Sequence, residues 1–335
     1  LTRGAAAKII CNLLLTPSVA DTLPANNTGF KDVPTTNTFA KYIAYCANVG
    51  IIDGDGKGSF YPTQEVTGYQ FAKMLLVALG YDAEIEEMVG DTWAINTSTL
   101  AIAVGLDDSM EEVPMSGALT REQACQMAFN AMKTPLVEYE SKGTTIEVNG
   151  ATVTFGAREA QYVTTTRANE QTISKETLSN SANYTVEFAE KYCRDLTLSG
   201  DTDAFARPAH TWRYDKELIG TYKNTPDLTY TSGVELGTIY ADLGLTESTG
   251  ILDQYVDGKE QTGTLQTLER RSDTKLANSG NGVLTEVWFD KNDDGDVTEL
   301  LITQVNTYVA TVNSINNDGK DNRSITLAVS DATPA

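Results

Sequence analysis

The chain has 335 residues and a formal net charge of −21 at pH 7, because 46 Asp and Glu outnumber 25 Lys and Arg. This length allows two or three domains, each with its own core. The charge argues against nucleic acid as a partner, since phosphate binding requires a basic surface. The sequence also contains no run of about 18 apolar residues that would predict a membrane span.

Three segments near the N-terminus share one helical pattern, in which a threonine is followed by apolar residues at offsets of 4, 7, 8, 11 and 12. These offsets place the apolar residues on one face of a helix, and threonine is favoured at a helix start. The threonines are Thr2, Thr67 and Thr120, and Gln70 completes a capping box with Thr67. The apolar residues are Ala6, Ile9, Ile10, Leu13 and Leu14 in the first segment, Phe71, Met74, Leu75, Ala78 and Leu79 in the second, and Ala124, Met127, Ala128, Ala131 and Met132 in the third. Three stripes in one register predict an internal repeat.

Two of the three copies also contain a helix upstream of the threonine. Residues 39–49 and 93–104 are of helix length, and they end at Gly50 and Gly105, where a left-handed residue would close the helix. Each unit is therefore predicted to be helix, loop, helix. One such unit cannot bury both of its apolar faces, so we expect the copies to pack together.

The second copy also contains a series of short motifs. They are an FxDV opening (Phe30, Asp32, Val33), an aromatic residue at the start of the first helix (Phe39), a GIxxG motif (Gly50, Ile51, Gly54) and a GxFxP motif (Gly58, Phe60, Pro62). With the capped helix that follows, they resemble an S-layer homology (SLH) repeat. The resemblance covers residues 1–135, with a partial repeat one at 1–15, repeat two at 30–82 and repeat three at 88–135. We therefore predict an SLH-like repeat bundle over residues 1–140.

The resemblance implies an extracellular protein of a bacterial cell-wall surface, held non-covalently to wall polysaccharide by a three-repeat bundle. In this family the arginine of the cap motif contacts an acidic glycan. The glycan-binding residues that the resemblance implies here are Arg3, Arg121, Thr2, Thr120 and Asp32. A guanidinium in the first turn of a helix suits this role, because its fork pairs with a carboxylate and the positive helix terminus adds to the attraction.

Repeats two and three depart from the family pattern. Gly68 stands where the arginine of repeat two is expected. In repeat three, DDSMEEVPMSG at residues 107–117 replaces the loop that should contain glycine and phenylalanine. We therefore expect at most two of the three glycan grooves to function.

From residue 144 to residue 335 the apolar pattern changes to the two-residue period of strands, which predicts one or more antiparallel β domains, with a split near 230–250 as the alternative to a single domain. Asn149–Gly150 predicts a hairpin turn. Strand pairs are also predicted within 282–304 and 307–329, and short helices within 187–193 and 234–245. The predicted fold class is α + β and multidomain, with a helical SLH-type bundle followed by an antiparallel β-rich region.

One stretch of the β-rich region resembles the start of an EF-hand calcium loop. Asp290, Asn292 and Asp294 occupy its first, third and fifth positions. The twelfth position is Leu301, where calcium requires a bidentate glutamate, and predicted strands rather than helices flank the stretch. We therefore predict a solvated hairpin turn and no cofactor, with a structural calcium ion at these three residues as the weaker alternative.

The sequence predicts no enzyme. His210 is the single histidine, and there is no GxSxG motif and no paired Cys and His, so nucleophilic catalysis lacks its base. Carboxylate pairs for glycoside cleavage stay open, because 46 acidic residues include close pairs by chance. The four cysteines show no disulfide framework and are interpreted as free thiols, with one disulfide as the alternative.

The leading hypothesis is a structural, non-enzymatic cell-envelope protein. Its bundle would anchor to cell-wall polysaccharide, and its β-rich region would form a surface layer or project another module. The alternative keeps the repeat fold as a self-assembly module of an extracellular filament or array, without glycan binding. A wall hydrolase is a third hypothesis.

The chain starts within a repeat and ends in a linker-like SDATPA, so we expect it to be a fragment of a longer protein.

Overall fold

The structure is a computed structural model that describes residues 1–110, 115–148, 151–157, 159–163, 185–193, 195–224, 226–244, 251–261, 275–291, 297–317 and 323–328. The described residues divide into two compact units. The first takes those within Leu1–Ile173, Tyr184–Thr197 and Tyr214–Glu217, and the second takes those within Leu198–Arg213 and Leu218–Ala335. The first unit is mainly helical and the second is mainly built of strands, which confirms the predicted α + β class.

The helices lie where the apolar periodicity predicts them. They are α1 (Arg3–Leu15), α2 (Pro17–Ala20), α3 (Ala40–Asn48), α4 (Gly68–Leu79), α5 (Trp93–Ala103), α6 (Arg121–Lys133), α7 (Phe188–Tyr192) and α8 (Leu236–Asp242). Of these, α2 is a single turn that the periodicity does not predict. Among the described residues, no helix combines the length and apolar character needed to cross a membrane.

The three predicted threonines are the N-caps of α1, α4 and α6. The Thr2 hydroxyl accepts a hydrogen bond from the backbone N–H of Ala5 at 3.3 Å. Thr67 and Thr120 each form a complete capping box with the glutamine three residues later. These bonds satisfy N–H groups that the helix itself leaves without a partner, which is why the helices begin at these positions.

The apolar stripes of α1, α4 and α6 meet in one hydrophobic core in the first unit. Ile10, Leu75 and Met127, one from each stripe, are at most 1% exposed. Val186 and Phe188, which lie beyond the predicted bundle boundary, belong to the same core. The boundary near residue 140 stays a prediction, and the observed core draws on chain as far as α7.

The residues that precede the three caps are joined in a closed ring of hydrogen bonds. The N–H of Val66 donates to the carbonyl of Leu1 at 2.9 Å, and the N–H of Leu119 donates to the carbonyl of Val66 at 3.0 Å. The nitrogen of Leu1 donates in turn to the carbonyl of Leu119 at 2.8 Å. The three helix starts are therefore held side by side around one centre.

The strands form several small sheets. They are β1 (Val137–Glu138), β2 (Lys142–Val148), β3 (Ala151–Ala157), β4 (Gln161–Tyr162), β5 (Leu196–Thr202), β6 (Pro208–Tyr214), β7 (Glu217–Lys223), β8 (Leu228–Tyr230), β9 (Ile251–Val256), β10 (Lys259–Glu260), β11 (Val283–Lys291), β12 (Val297–Asn306), β13 (Thr311–Asn317) and β14 (Arg323–Ala328). The sheets have the orders β1-β4, β2-β3, β5-β6-β7, β10-β9-β12-β11-β8 and β13-β14. Strands β2 and β3 form the predicted antiparallel hairpin, although its Asn149–Gly150 turn lies outside the described residues.

The prediction of a wholly antiparallel β region is wrong at one strand pair. Strands β9 and β12 are parallel, with Glu299 opposite Ile251 and Gln304 opposite Val256. Parallel neighbours need a long connection, and here the intervening chain includes β10 and β11. Alternating hydrophobicity records which face of a strand is buried, but it does not identify the neighbouring strand or its direction.

Helix α8 packs on the five-stranded sheet and forms the core of the second unit with it. Ile239 and Tyr240 from the helix are buried with Val287, Leu300 and Ile302 from the sheet. This helix lies within the stretch in which the sequence offers a domain split as the alternative to a single domain. The split near 230–250 remains a prediction, and the described part of this stretch contributes to the core.

Candidate functional site

Arg3, the first residue of α1, contacts the loop of repeat two through two parts of its side chain. Its Nε donates a hydrogen bond to the carbonyl oxygen of Phe60 at 2.8 Å. The guanidinium carbon lies 4.6 Å from the centre of the Phe60 ring, at cation–π distance. A guanidinium has five N–H donors, so the bond to Phe60 orients the group while using one of them.

Asp32 holds the loop that presents Phe60 to Arg3. Its carboxylate accepts hydrogen bonds from the backbone N–H of Phe60 at 2.9 Å and of Tyr61 at 2.7 Å. Burial raises the pKa of Asp32, but these bonds favour the charged form and the net pKa lies below its ordinary value. Burial lowers the pKa of Arg3, and the charge of Asp32 opposes that change. Asp32 therefore positions the loop, and its direct contact with glycan stays a prediction.

Asp55 fixes the turn of the same loop. Its carboxylate accepts hydrogen bonds from the backbone N–H of Ser59 at 2.9 Å and of Lys57 at 2.8 Å, and from the Tyr61 hydroxyl at 2.9 Å. The bond from Ser59 is the largest cause that lowers the pKa of Asp55, which falls to about 2. The loop is therefore held by carboxylates that are charged at neutral pH.

A groove of about 370 Å³ opens beside the contact between Arg3 and Phe60. Its volume lies in the range of small-molecule sites, roughly 300–1,000 Å³. Its wall is built from the start of α1, the loop after α3, helix α4 and the segment that leads into α5. The lining residues are Arg3, Ile51, Ile52, Asp53, Gly54, Phe60, Val66, Gln70, Lys73, Met74, Met88, Val89, Gly90 and Trp93.

Lys73 of α4 supplies a second cation to the groove. Its Nζ lies 3.9 Å from Oδ2 of Asp53, and the Lys73 side chain is 20% exposed whereas that of Asp53 is 77% exposed. Burial lowers the pKa of Lys73, and the charge of Asp53 opposes this shift. Two cations and one carboxylate therefore line a groove in a chain whose net charge is −21. This local excess of positive charge favours an anionic ligand.

Aromatic and glycine residues shape the rest of the groove. Trp93, the first residue of α5, meets the ring of Tyr69 edge-on at 6.3 Å. The Trp93 side chain is half-buried and lines the groove. At Gly54 a Cβ would lie 2.7 Å from both the Phe30 ring and the carbonyl oxygen of Ser59, so the turn has room for glycine alone.

Gly68 occupies the position in repeat two that Arg3 occupies in repeat one. The N–H of Arg3 donates to the carbonyl of Gln64 at 2.8 Å, and the N–H of Gly68 donates to that of Gly117 at 3.2 Å. At Gly68, however, an added Cβ would lie 2.8 Å from the Cα of Met115 and 2.9 Å from its carbonyl oxygen. The backbone around Met115 therefore fills the space that an arginine side chain would need.

The structure does not bring all the predicted site residues together. Arg3 and Thr2 lie at the start of α1, and Asp32 joins them through Phe60. Thr120 and Arg121 are exposed at the start of α6, and neither is among the described residues that line the groove. Their roles in glycan binding stay predictions.

The groove also contains residues that no sequence motif marks as functional. Lys73 lies one helical turn after Tyr69 on α4, outside the apolar stripe that predicts this helix, so the stripe gives no sign of its role. Met88 and Trp93 reach the groove from the connection between repeats two and three. Their position depends on how the helices pack, and no local motif marks it.

Only one of the three predicted calcium ligands lies within the described residues. Asp290 lies in β11, and Asn292 and Asp294 lie outside the described residues. Within the parts of the chain that the structure describes, no three His, Cys, Asp or Glu side chains are grouped as a metal site. A calcium ion at Asp290, Asn292 and Asp294 stays a prediction.

Comparison with known proteins identifies the repeat-two segment. Residues 29–72 match the S-layer homology domain family. A stretch of 124 residues is 27% identical to a surface layer protein of Brevibacillus choshinensis, and the match covers 37% of this chain and 10% of that protein. The chain therefore spans about a tenth of the length of this relative. The matched family segment includes Asp32 and Phe60, and it ends one residue before Lys73.

Proposed function

We propose that this chain, a structural cell-surface protein of the S-layer type with an S-layer homology domain at residues 29–72, anchors to an acidic cell-wall polysaccharide through the groove around Arg3. The protein belongs to the extracellular surface of the cell wall. The proposed contact is made by side chains alone and requires neither catalysis nor a cofactor. The β-rich region would then form part of a surface layer or carry another module outward.

The pairing of Arg3 and Lys73 in one groove is the observation that carries the proposal. Both side chains are partly buried, so their charges are screened by water less than those of exposed lysines. Arg3 is also oriented by Phe60 before any ligand arrives. A preoriented fork suits a carboxylate, which it can bind through two parallel hydrogen bonds.

The apolar part of the groove supports a sugar as the ligand. The half-buried Trp93 offers apolar surface beside the two cations, and the buried side chains of Met88 and Met74 pack behind the groove wall. A sugar ring presents both hydroxyl groups and apolar C–H faces, so a wall that combines cations, a Trp ring and amide groups complements it better than a purely charged surface would. Gln70 contributes the amide of this wall.

We further propose that the three capped helices belong to a three-repeat bundle whose grooves differ in function. The hydrogen-bond ring through Leu1, Val66 and Leu119 supports the repeat relationship. The packing of Met115 against Gly68 argues against a working arginine groove in repeat two. Arg121 remains the candidate for a second contact with glycan.

Sedimentation with purified sacculi tests the anchoring proposal. The full chain is mixed with sacculi that retain their wall polysaccharide and with sacculi from which it has been removed by acid. We expect binding only to the first, and we expect it to weaken as salt rises, because the contact is electrostatic. Equal sedimentation with both preparations would contradict glycan anchoring.

The alternative function is a self-assembly module without glycan binding. The observation in its favour is exposed apolar surface on α5, where Ile95 is 69% exposed and Ile102 is 57% exposed. These residues lie seven apart on one helix face. If assembly is the function, the chain should form large species in sedimentation velocity without any wall material, and Ile95→Gln with Ile102→Gln should disperse them.

A further inference from the structure

Two buried cysteines from different helices face each other in the core of the first unit. Cys11 on α1 and Cys46 on α3 are both 0% exposed, and their sulfur atoms lie 3.5 Å apart. The Cys11 thiol also donates to the carbonyl of Tyr42 at 3.5 Å, and the Cys46 thiol donates to that of Ala7 at 3.6 Å. Each thiol therefore lies against the backbone of the helix opposite.

The close approach of α1 and α3 explains this geometry. Ala7 and Cys11 lie one turn apart on α1, and Tyr42 and Cys46 lie one turn apart on α3. At this contact each sulfur reaches a carbonyl of the other helix. A disulfide needs its sulfurs at about 2.05 Å, so the two atoms must approach by about 1.5 Å.

We propose that Cys11 and Cys46 form a disulfide that ties α1 to α3 in the mature protein. The chain belongs to the extracellular cell surface, and disulfides persist in such oxidising surroundings. The reaction is an exchange with a small-molecule disulfide. The two cysteine thiols lose two protons and two electrons and form one S–S bond, while the reagent's S–S bond breaks and its two sulfurs leave as thiols.

Burial of the two sulfur atoms determines the stage of folding at which the bond can form. The adjacent Cys11 thiol, together with burial, raises the pKa of the Cys46 thiol. Exchange proceeds through the thiolate, and both sulfurs are shielded from solvent in the finished fold. The bond therefore forms while α1 and α3 are still coming together, and it resists reduction once the core has closed.

Cys125 and Cys193 serve as internal controls. Cys125 is exposed and Cys193 is half-buried, and all four cysteines, Cys11 and Cys46 included, carry free thiols in the structure. Cys125 and Cys193 share the chain and the redox conditions with Cys11 and Cys46, but neither faces another sulfur in the way that the buried pair does. Specific pairing of Cys11 with Cys46 is thus distinguishable from general oxidation.

Peptide mapping after oxidative refolding tests the proposal. The full chain is refolded in a mixture of reduced and oxidised glutathione, denatured, alkylated and digested without reduction. We expect the Cys11 and Cys46 peptides to appear joined, with the mass of two hydrogens lost, and we expect Cys125 and Cys193 to be alkylated. Alkylated Cys11 and Cys46, or their joining to Cys125 or Cys193, would overturn the proposal.

A thermal measurement checks that the bond stabilises the fold. A disulfide between Cys11 and Cys46 closes a loop and so restricts the unfolded chain. We therefore expect the Tm of the oxidised protein to lie about 5–15 °C above that of the reduced protein. The Cys46→Ala variant should have the same Tm in oxidised and reduced samples. The Cys125→Ala variant should show the same difference in Tm as the wild type. A wild-type protein with the same Tm in both states would count against a stabilising bond, and the peptide map of the wild type stays decisive if Cys46→Ala does not fold.

Discussion

The Nε of Arg3 donates to the carbonyl oxygen of Phe60 across 57 residues of chain, and the N–H of the same Phe60 donates to Asp32. One backbone unit thus links the cation of the first repeat to the FxDV aspartate of the second. The cation is consequently held in place by the loop rather than by a neighbour on its own helix. Replacement of Arg3 should therefore affect ligand binding more than it affects the stability of α1.

Gly68 should not tolerate a side chain, even though glycine is unfavourable in a helix. Alanine is preferred over glycine in helices by up to about 1 kcal/mol, but its Cβ would lie 2.8 Å from the Cα of Met115. We expect Gly68→Ala to lower the free energy of unfolding by about 1–3 kcal/mol, as overpacking does. Urea denaturation of the full chain measures this change.

Gly280→Ala is the matched control for the Gly68 variant. At Gly280 the nearest atom to an added Cβ is Nζ of Lys275 at 3.7 Å, which is ordinary contact with a flexible side chain. We expect its effect on the free energy of unfolding to stay within about 1 kcal/mol. Similar losses at both glycines would contradict the account of a closed second groove.

The loop around Asp55 should lose stability in acid. The pKa of Asp55 is lowered from 3.8 to about 2 in the folded chain, and the main cause is the hydrogen bond from the Ser59 N–H. A depressed folded-state pKa means that the stabilisation is present above 3.8 and is lost as pH falls towards 2. NMR titration of the Asp55 carboxyl and of the Ser59 amide should show this transition.

Asp55→Asn supplies the control for the acid prediction. Asparagine can still accept hydrogen bonds but does not titrate. In this variant the Ser59 amide signal should change little between pH 3.8 and pH 2. An Asp55 carboxyl that titrates near 3.8 in the wild type would show that the loop does not hold it as described.

Replacement of the Glu286 carboxylate by a neutral group should lower the free energy of unfolding of the protein. This carboxylate is 1% exposed and pairs with Nη1 of Arg207 at 3.1 Å and with Nζ of Lys223, and Arg207 also pairs with Asp203 at 2.7 Å. Glu286→Gln leaves the half-buried Arg207 and Lys223 without the charge of their shared partner. We expect a loss in unfolding free energy above the roughly 1 kcal/mol of an exposed pair and below the roughly 3–5 kcal/mol of a fully buried one. Chemical denaturation checks the value.

Lys142→Met is the control, because Lys142 forms an exposed ion pair with Asp82. This variant should lower the free energy of unfolding by at most about 1 kcal/mol. Equal losses in the Glu286 and Lys142 variants would contradict the claim that the buried carboxylate matters more than the exposed pair.

Local relationships in the sequence account for the part of the fold that could be predicted. Thr67, Gln70 and Phe71 lie within one helical turn, so the cap, the start and the buried face of α4 can be read directly from their spacing. The same holds for α1 and α6. The left-handed closures at Gly50 (φ 75°) and Gly105 (φ 72°) also depend on neighbouring residues alone.

The groove and the sheet order depend on contacts that no short window of sequence contains. Lys73 becomes part of the site only because α4 packs beside the loop that carries Asp53. The parallel pairing of β9 with β12 joins strands separated by β10 and β11. The sequence predicts part of the closure of the second groove, because Gly68 replaces an arginine. The contact of Met115 with Gly68 is visible only in the folded chain.

Binding of matched charge variants to sacculi tests the central claim most directly. Arg3→Gln and Lys57→Gln each remove one positive charge, but Lys57 is exposed and does not line the groove. Loss of a charged hydrogen bond is worth about 1.5–3 kcal/mol, so Arg3→Gln should weaken binding at least about tenfold while Lys57→Gln stays within about twofold. Arg121→Gln in the same assay measures the second candidate contact. Wild-type binding by Arg3→Gln, with its fold intact by circular dichroism, would contradict the claim that this groove anchors the protein.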